Sequence, residues 1–575
     1  MGAARSFLIA ATLLAAASTG SAQGDVTPVA ESDAPRRDAE RAMRAFERRR
    51  LQLMPNVPSS AGGPGDVIIG RYRYAAGEAD DLTPPPAEPD AIAKARRELL
   101  QTLQLAARAV PADAWIRSRL VWYAIEAGDT TAAVDAAHRC IDGDIAWWCD
   151  ALLGLALHTL HDFVAAEEAF DRALAAMPDS TRCRWTDASI LLDGSAERLV
   201  RHTPCERRAA LDERLWWLAD PLHSVEGNEL RSEHLARHAF TVLHDRWRAS
   251  HPLGWGSDMR EIVLRYAWPI AWSRDRTAER SPTQPGFSFA LTGHEPNPAY
   301  FFFPDGAALE SPYDVADESW DLTRERATTH YAHPFAAPMR PLRHQIGAFL
   351  RGDSSLVVGA WDASEDTLFS DTSGAALVVS ADDGRIRYTG RGARAGRRGA
   401  LQLTVPQAAY VASLELLDRG SHAAARAREG VRALTLSGGV ALSDILLLEP
   451  GERPTTFDEA LRRLLPDARL GADRRVTLYW EIYGVPATTT PRVSVSVARV
   501  RASRARRLAE KLGLRPEPQT VEMEWETDAP EGRTAAGSVT LDLRDRPAGT
   551  WRVSVTFTGG GTTATTSRDL ILEDR

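Results

Sequence analysis

The chain has 575 residues, 44% of them hydrophobic and 26% charged, with a formal net charge of −9. That length exceeds a single hydrophobic core and predicts three or four domains of roughly 150 residues, while the composition excludes wholesale disorder. Lys94 and Lys511 are the only lysines, and the arginines lie scattered among acids, which argues against a nucleic-acid partner, normally marked by a clustered basic surface.

Residues 1–22 read as a signal peptide. Arg5 supplies the positive end, Phe7 to Ala17 the apolar run, and Gly20-Ser21-Ala22 a small-residue cleavage site before Gln23. No other stretch reaches ~18 uninterrupted apolar residues, so no transmembrane segment is expected. The mature chain is expected to be exported and soluble, in the periplasm, secreted or at the cell surface. Residues 23–89 form a polar N-terminal region and Pro-rich linker. Within it, Arg36–Arg50 reads as a solvated helix because Asp38, Glu40 and Glu47 sit among its bases. Asp66 to Tyr72 is a short apolar island, and Thr83-Pro84-Pro85-Pro86 cannot be helical.

Helical periodicity runs from 90 to 248. Leu153, Gly154, Ala166, Phe170, Ala173 and Pro178 keep the spacings of a tetratricopeptide repeat, and Leu120, Tyr123, Ala132 and Ala136 make a weaker copy 34 residues earlier. There is no third copy, so flanking helices must complete the core. Trp115, Trp122, Trp147, Trp148, Trp185, Trp216 and Trp217 read as core side chains. Cys140, Cys149, Cys183 and Cys205 fall in the same half. Their even number suits disulfides in an oxidising compartment, and nearest-neighbour pairing gives Cys140–Cys149 and Cys183–Cys205. Free thiols and a zinc site compete, although no C-x₂-C spacing is present. His234 and His238 share a helix face, with His244 six residues on. The zincin pattern requires Glu where Leu235 stands, so a surface helix is the reading and no metal or cofactor is assigned.

Residues 249–344 are expected to form a linker domain opening on Gly254–Pro269, GWGSDMREIVLRYAWP. After a polar turn, Ile262, Leu264 and Tyr266 read as one face of a strand that Pro269 stops. Trp255 is expected to be buried between the helical half and the first β-domain, as a structural joint, with Asp258 in a turn or cap. The competing reading makes Asp258 and Glu261 an acid/base pair in a cleft. Asn297 to Pro304 is an aromatic cluster that reads as a buried strand or an exposed patch.

From Gln345 the period becomes two. Leu356–Trp361, Ala375–Ser380, Leu401–Val405, Ala409–Leu417 and Leu442–Leu448 read as strands of a first sandwich, 345–452, with Gly390 to Gly399 as a turn. A second sandwich, 453–575, is drawn from the alternations at Val476–Ile482, Val493–Val497, Val521–Trp525, Val539–Leu543 and Trp551–Phe557. Both read as antiparallel and immunoglobulin- or fibronectin-like. Arg499–Arg515 interrupts the second as a basic, helical crossover.

Gly254, Trp255, Ser257 and Asp258, followed by Tyr266 and Pro269, resemble the motif of the bacterial GWxTD-domain family. Ser257 stands in place of the family's Thr, and Arg260 and Ala267 stand where the family often has Gly. Leu442 to Leu447 and Tyr479 to Tyr483 resemble further landmarks of that family's C-terminal region. The resemblance implies the same order of parts, from leader through helical repeats and GW segment to β-domains, and carries no enzymatic activity.

The chain has no Gly-x-Ser-x-Gly elbow, phosphate-binding loop or dinucleotide fingerprint. The expectation is therefore a multidomain α + β scaffold that binds other proteins or peptides. The alternative is a hydrolase or carbohydrate-binding protein acting on cell-wall or polysaccharide material, with Trp-rich surfaces stacking sugars.

Overall fold

The computed structural model describes residues 34–57, 66–70, 72–76, 86–141, 147–245, 255–275, 291–295, 303–320, 331, 339–436, 439–485, 492–500, 521–526 and 534–574. The expected signal peptide, Gly254, Asn297 to Phe302 and the crossover from residue 501 onward lie outside the described residues.

The N-terminal half is helical. It comprises α1 (Ala34–Leu53), the hairpin β1 (Asp66–Ile69) and β2 (Tyr72–Ala76), then α2 (Asp90–Ala109), α3 (Ala114–Glu126), α4 (Thr130–His138), α5 (Trp148–Thr159), α6 (Phe163–Ala176), α7 (Asp179–Trp185), α8 (Gly194–His202), α9 (Ala209–Ala219) and α10 (Glu229–Asp245). Asp113, Asp129 and Asp162 cap α3, α4 and α6 by accepting backbone N–H bonds, each worth about 1 kcal/mol. Two helical hairpins result, α3–α4 and α5–α6. In the second, Gly154 lets the helices close: a Cβ there would stand 2.7 Å from the Phe170 ring. Ala166, Phe170 and Ala173 are fully buried, Leu153 is half-buried, and Pro178 sits exposed just past the end of α6.

Helix α1 corrects the expected boundary at residue 90. Ala39, Met43 and Phe46 enter the same core as α2 and α3. Its buried Glu47 and Arg50 pair with each other at 2.7 Å, and Arg50 reaches Glu126 at 2.7 Å. Only the outer face of α1 is solvated, because paired charges can enter a core that lone ones cannot.

The GW segment also departs from expectation. Ser257–Tyr266 is a helix, α11, and not a strand. Met259, Ile262, Val263 and Tyr266 fall at i, i+3, i+4 and i+7, and all are buried. The alternation of Ile262, Leu264 and Tyr266 was compatible with a strand, but Val263 is buried too, which one strand face does not accommodate. Helix α11 lies between α10 and a small sheet ordered β1-β2-β4-β3, where β3 is Ala271–Arg274, β4 is Leu291–Glu295, and β2 and β4 run parallel. The remainder of the expected linker domain goes elsewhere. Helix α12 (Gly306–Glu310) and two short 3₁₀ turns pack on α8, α9 and the first sandwich. Residues 249–344 are therefore divided between two neighbours instead of forming a body of their own.

The C-terminal half is two sandwiches. The first sets a three-stranded sheet against a five-stranded one. Its strands are β5 (Met339–Pro341), β6 (Arg343–Arg351), β7 (Ser354–Asp362), β8 (Gly374–Ala381), β9 (Ile386–Gly392), β10 (Arg398–Pro406), β11 (Tyr410–Asp418) and β12 (Ala423–Val431), in the orders β10-β7-β6 and β5-β12-β11-β8-β9. The second contains β13 (Ala441–Leu442), β14 (Leu446–Leu448), helix α13 (Phe457–Leu461), β15 (Arg469–Leu470), β16 (Arg475–Tyr483), β17 (Arg492–Arg499), β18 (Val521–Glu526), β19 (Thr534–Asp542), β20 (Gly549–Gly559) and β21 (Thr562–Leu572). Its sheets are β13-β16-β14, with β19 also on β16, and β15-β21-β20-β17-β18. Each sandwich is antiparallel apart from one short parallel edge strand, β5 and β15 respectively.

Two further corrections follow. Leu442–Leu448 is not one strand of the first sandwich, because β13 and β14 both pair with β16 and so belong to the second. Part of the expected Gly-rich turn is strand β9, which pairs with β8. The first sandwich is buried on both sides. Phe349, Leu356 and Val358 turn away from its core to pack against Leu446, Leu448 and Tyr479 of the second sandwich. On the opposite side, Val411 and Ala424 join Trp216, Trp217 and Leu222 of the helical half.

Candidate functional site

The most polar buried region is the seam between the helical half and the first sandwich. Strand β12 builds it by alternation. Ala423, Ala425 and Ala427 face the sandwich core, so Arg426 and Arg428 face the loop that follows α9. Arg428 donates to the carbonyls of Leu218 (2.7 Å) and Asp220 (2.5 Å) and to Ser413 Oγ (3.1 Å). Arg426 donates to the carbonyls of Asp220 (3.0 Å) and Pro221 (2.9 Å). On β11, Glu415 accepts from the backbone N–H groups of His223 (2.8 Å) and Ser224 (2.9 Å) and lies 3.8 Å from Arg428. Burial depresses both guanidinium pKa values, and it raises the Asp220 carboxyl well above the usual range. Glu229, beside this seam, is pushed up to about 8 by burial, with Glu167 and Glu415 adding to the effect. The seam orders the chain and leaves its charges engaged.

A second joint links the two sandwiches. Glu481 accepts from Tyr479 (3.0 Å), Tyr483 (2.7 Å) and Arg351 (2.6 Å), and Asp444 accepts from Ala348 N–H at 2.8 Å. The stretches Leu442–Leu447 and Tyr479–Tyr483 therefore meet at this contact.

Trp255 is half-buried. Its Nε1 donates to Asp245 Oδ1 at 2.6 Å, and its ring stacks on His244 with centroids 4.7 Å apart. It joins the helical core to the small sheet, not to the first β-domain as expected. Helix α11, which follows it, packs along α10 and against the small sheet, and Trp255 lies with them. Asp258 stands at the start of α11 with its Cβ 2.6 Å from where a Cβ on Gly70 would be. Gly70 has φ +55°, so the hairpin turn requires glycine on both counts. Ser257 is exposed, Glu261 pairs with Arg265 at 3.0 Å, Tyr266 is buried, and Pro269 packs on Gly293.

The helix carrying His234, His238 and His244 is buried, contrary to the surface reading: all three histidines are 8% exposed or less. Their rings pack among Trp185, Trp216 and Trp255, which an exposed helix would not allow. Burial lowers the His234 pKa to about 4 and holds those of His238 and His244 well below the usual imidazole range, so all three are neutral. Among the described residues no group of three His, Cys, Asp or Glu side chains is placed to hold a metal. Cys140–Cys149 and Cys183–Cys205 form disulfides with Cα separations of 5.5 and 5.7 Å.

One constellation went unread in the sequence. His158 lies between Ser232 Oγ (2.9 Å) and Glu233 Oε2 (2.6 Å), in the order of a Ser-His-carboxylate chain. Ser232 is fully buried and its hydroxyl donates to the Glu229 carbonyl, so nothing reaches it as a nucleophile. No local motif announces this grouping, since it joins α5 to α10.

Two cavities stand out. An open cleft of about 900 Å³ lies between the α5–α6 hairpin loop and the ends of β8, β9 and β11, lined by His161, Phe163, Val164, Arg391, Glu415 and Asp418 among others. Asp418 is held well below the usual carboxylate range by hydrogen bonds from Ser370 and Ser373. A cavity of about 530 Å³ lies between α1, α2, α3 and the segment after α11, lined by Trp122, Trp268 and Trp272. Asp258, Glu261, His234 and His238 line neither.

No protein-family model matches the chain, and no curated protein matches it either. Solved structures match over part of it. The FN1–FN3 domains of chicken CNTN1 are 10% identical over 43% of this chain and 70% of theirs, with a TM-score of 0.15. A two-domain fibronectin type-III segment of chicken tenascin is 10% identical over 40% of this chain and 99% of its own, with a TM-score of 0.13. Red sea bream transglutaminase is 9% identical over 46% of this chain, which spans 38% of that enzyme, with a TM-score of 0.15. The assignment of helical domain followed by β-sandwiches rests on the helices and strand pairing described above.

Proposed function

We propose that the chain is an exported scaffold of the bacterial periplasm or cell surface, a divergent relative of the GWxTD-domain proteins, that holds protein or peptide partners in the cleft between its helical hairpins and first sandwich. The observation that carries this reading is the state of the cleft's two buried acids, Glu415 and Asp418. Glu415 is engaged by two backbone N–H groups and Asp418 by serine hydroxyls, so both shape the walls and neither is poised for proton transfer. Val164, which lines the cleft, is an exposed apolar side chain, of the kind that marks interaction surfaces. The two disulfides fit an exported protein.

The test is a photo-crosslinking residue placed at Val164 or Arg419 in cells that export the protein, with Leu105 on α2 as the control. Discrete protein adducts from the cleft positions and none from Leu105 are expected. Turnover of a cell-wall polymer by the purified protein, lost in Asp258→Asn, would replace this reading with the hydrolase. N-terminal sequencing of exported material should begin at Gln23, and a start at Met1 would refute the leader.

A further inference from the structure

The 530 Å³ cavity belongs to neither the seam nor the cleft. Its volume lies within the range of small-molecule sites, roughly 300–1,000 Å³. Its walls are aromatic and aliphatic: Trp122, Trp268, Trp272, Ile92, Met54 and four prolines from three segments. Four charges border it and sum to zero, Arg50 and Arg96 against Glu88 and Glu126. They pair with one another, Arg50 with Glu126 at 2.7 Å and Arg96 with Glu88. A charged ligand would unbalance this set, whereas a neutral one would not.

Two polar atoms here lack hydrogen-bond partners, Arg96 Nε and Glu126 Oε2. They face each other at 3.6 Å, an ion pair beyond hydrogen-bond distance. One is a donor and the other an acceptor, so a single hydroxyl reaching between them on a small rotation of either side chain would satisfy both, as a water molecule would. A peptide carbonyl can only accept, and would leave Glu126 Oε2 as it is. A ligand that matches both the polar edge and the aromatic wall is a neutral molecule with hydroxyls on a carbon skeleton whose C–H faces lie against indole rings.

We propose that this cavity binds a neutral saccharide of one or two rings, with the sugar face against Trp268 and Trp272 and one hydroxyl bridging Arg96 and Glu126. This site is separate from the cleft and stands whether or not the cleft takes a protein.

The experiment is intrinsic tryptophan fluorescence of the full chain titrated with cellobiose, maltose, N,N′-diacetylchitobiose and, as the competing ligand, hexaproline. At least one disaccharide is expected to give a saturable change below roughly 10 mM, and hexaproline none. Trp272→Ala and Glu126→Gln should each weaken binding about tenfold or more. Because Glu126→Gln also removes an ion pair and could impair folding, Ala87→Trp is the second variant. Ala87 is exposed, lies outside the ion pairs and lines the cavity, so a bulky side chain there should abolish binding while the melting temperature holds. Saturable binding of hexaproline, no saturation by any of the three sugars, or sugar binding unchanged in Ala87→Trp would each overturn the proposal.

Discussion

Replacing Arg428 by methionine tests how the helical half is held to the first sandwich. Arg428 is 1% exposed. Its loss orphans few acceptors, because most are served twice. The Leu218 carbonyl keeps Trp320 Nε1 at 2.8 Å and the Asp220 and Pro221 carbonyls keep Arg426, while Ser413 Oγ loses the N–H it accepts but still donates to Glu415 at 2.6 Å. What changes is Glu415, itself 2% exposed, which loses the guanidinium 3.8 Å away. Breaking a buried charge pair typically costs about 3–5 kcal/mol, whereas removing both partners can be nearly neutral. Arg428→Met should therefore destabilise by about 3–5 kcal/mol, and adding Glu415→Gln should recover about 1–3 kcal/mol of that as a coupling energy. Three packed bodies need not unfold as one, so the measurement is the first urea transition, followed by tryptophan fluorescence and by proteolysis. If Arg428→Met costs under about 1 kcal/mol, or if the double variant equals the sum of the singles, the coupled-seam reasoning fails.

Three other outcomes are expected. Gly154→Ala gains up to ~1 kcal/mol of helix propensity but forces a methyl to 2.7 Å from the Phe170 ring; overpacking of about 1–3 kcal/mol should win, lowering the melting temperature. Ala267 holds φ +64° and ψ −177° at the end of α11, a region costing a non-glycine about 1–3 kcal/mol, so Ala267→Gly should raise the melting temperature despite the greater chain entropy of glycine; a fall would refute the strain. Glu229 has its folded pKa raised from 4.5 to about 8, so between those values the folded chain keeps a proton that the unfolded chain has released. Stability should fall as pH rises through that window, and Glu229→Gln should show a smaller drop in melting temperature between pH 5 and pH 8 than wild type does.

The readable parts of the fold were those where one face meets water. Strands β17 and β20 bury one apolar series against the facing sheet, and their valines, with Trp551 and Phe557, announce it. The parts misread are buried on two faces or by pairing. Strand β12, AAARAREGV, alternates only small alanines with arginines, a pattern that does not read as a buried strand because its second face is arginine held by backbone carbonyls across the seam. Helix α11 meets both α10 and the small sheet, so its burial is broader than one strand face and its pattern ambiguous. Helix α1 looked solvated because Glu47 and Arg50 are buried as a pair, and charge counts do not distinguish paired from free ions. The polar edge of the Trp-lined cavity was beyond reach, since Arg96 and Glu126 come from helices whose packing no local spacing encodes.

The two-sided burial of the first sandwich bears on how the chain can be cut or recombined. A fragment spanning 345–452 would lay Phe349, Leu356 and Val358 bare on one side and Val411, Ala424 and two arginines on the other. It would also carry away β13 and β14, which the following sheet needs as partners for β16. Strings of independent sandwiches can gain or lose a bead without harm to their neighbours. Here the middle body is the mortar between two others, and deletion or exchange of it alone should leave both flanks with raw surfaces that aggregate.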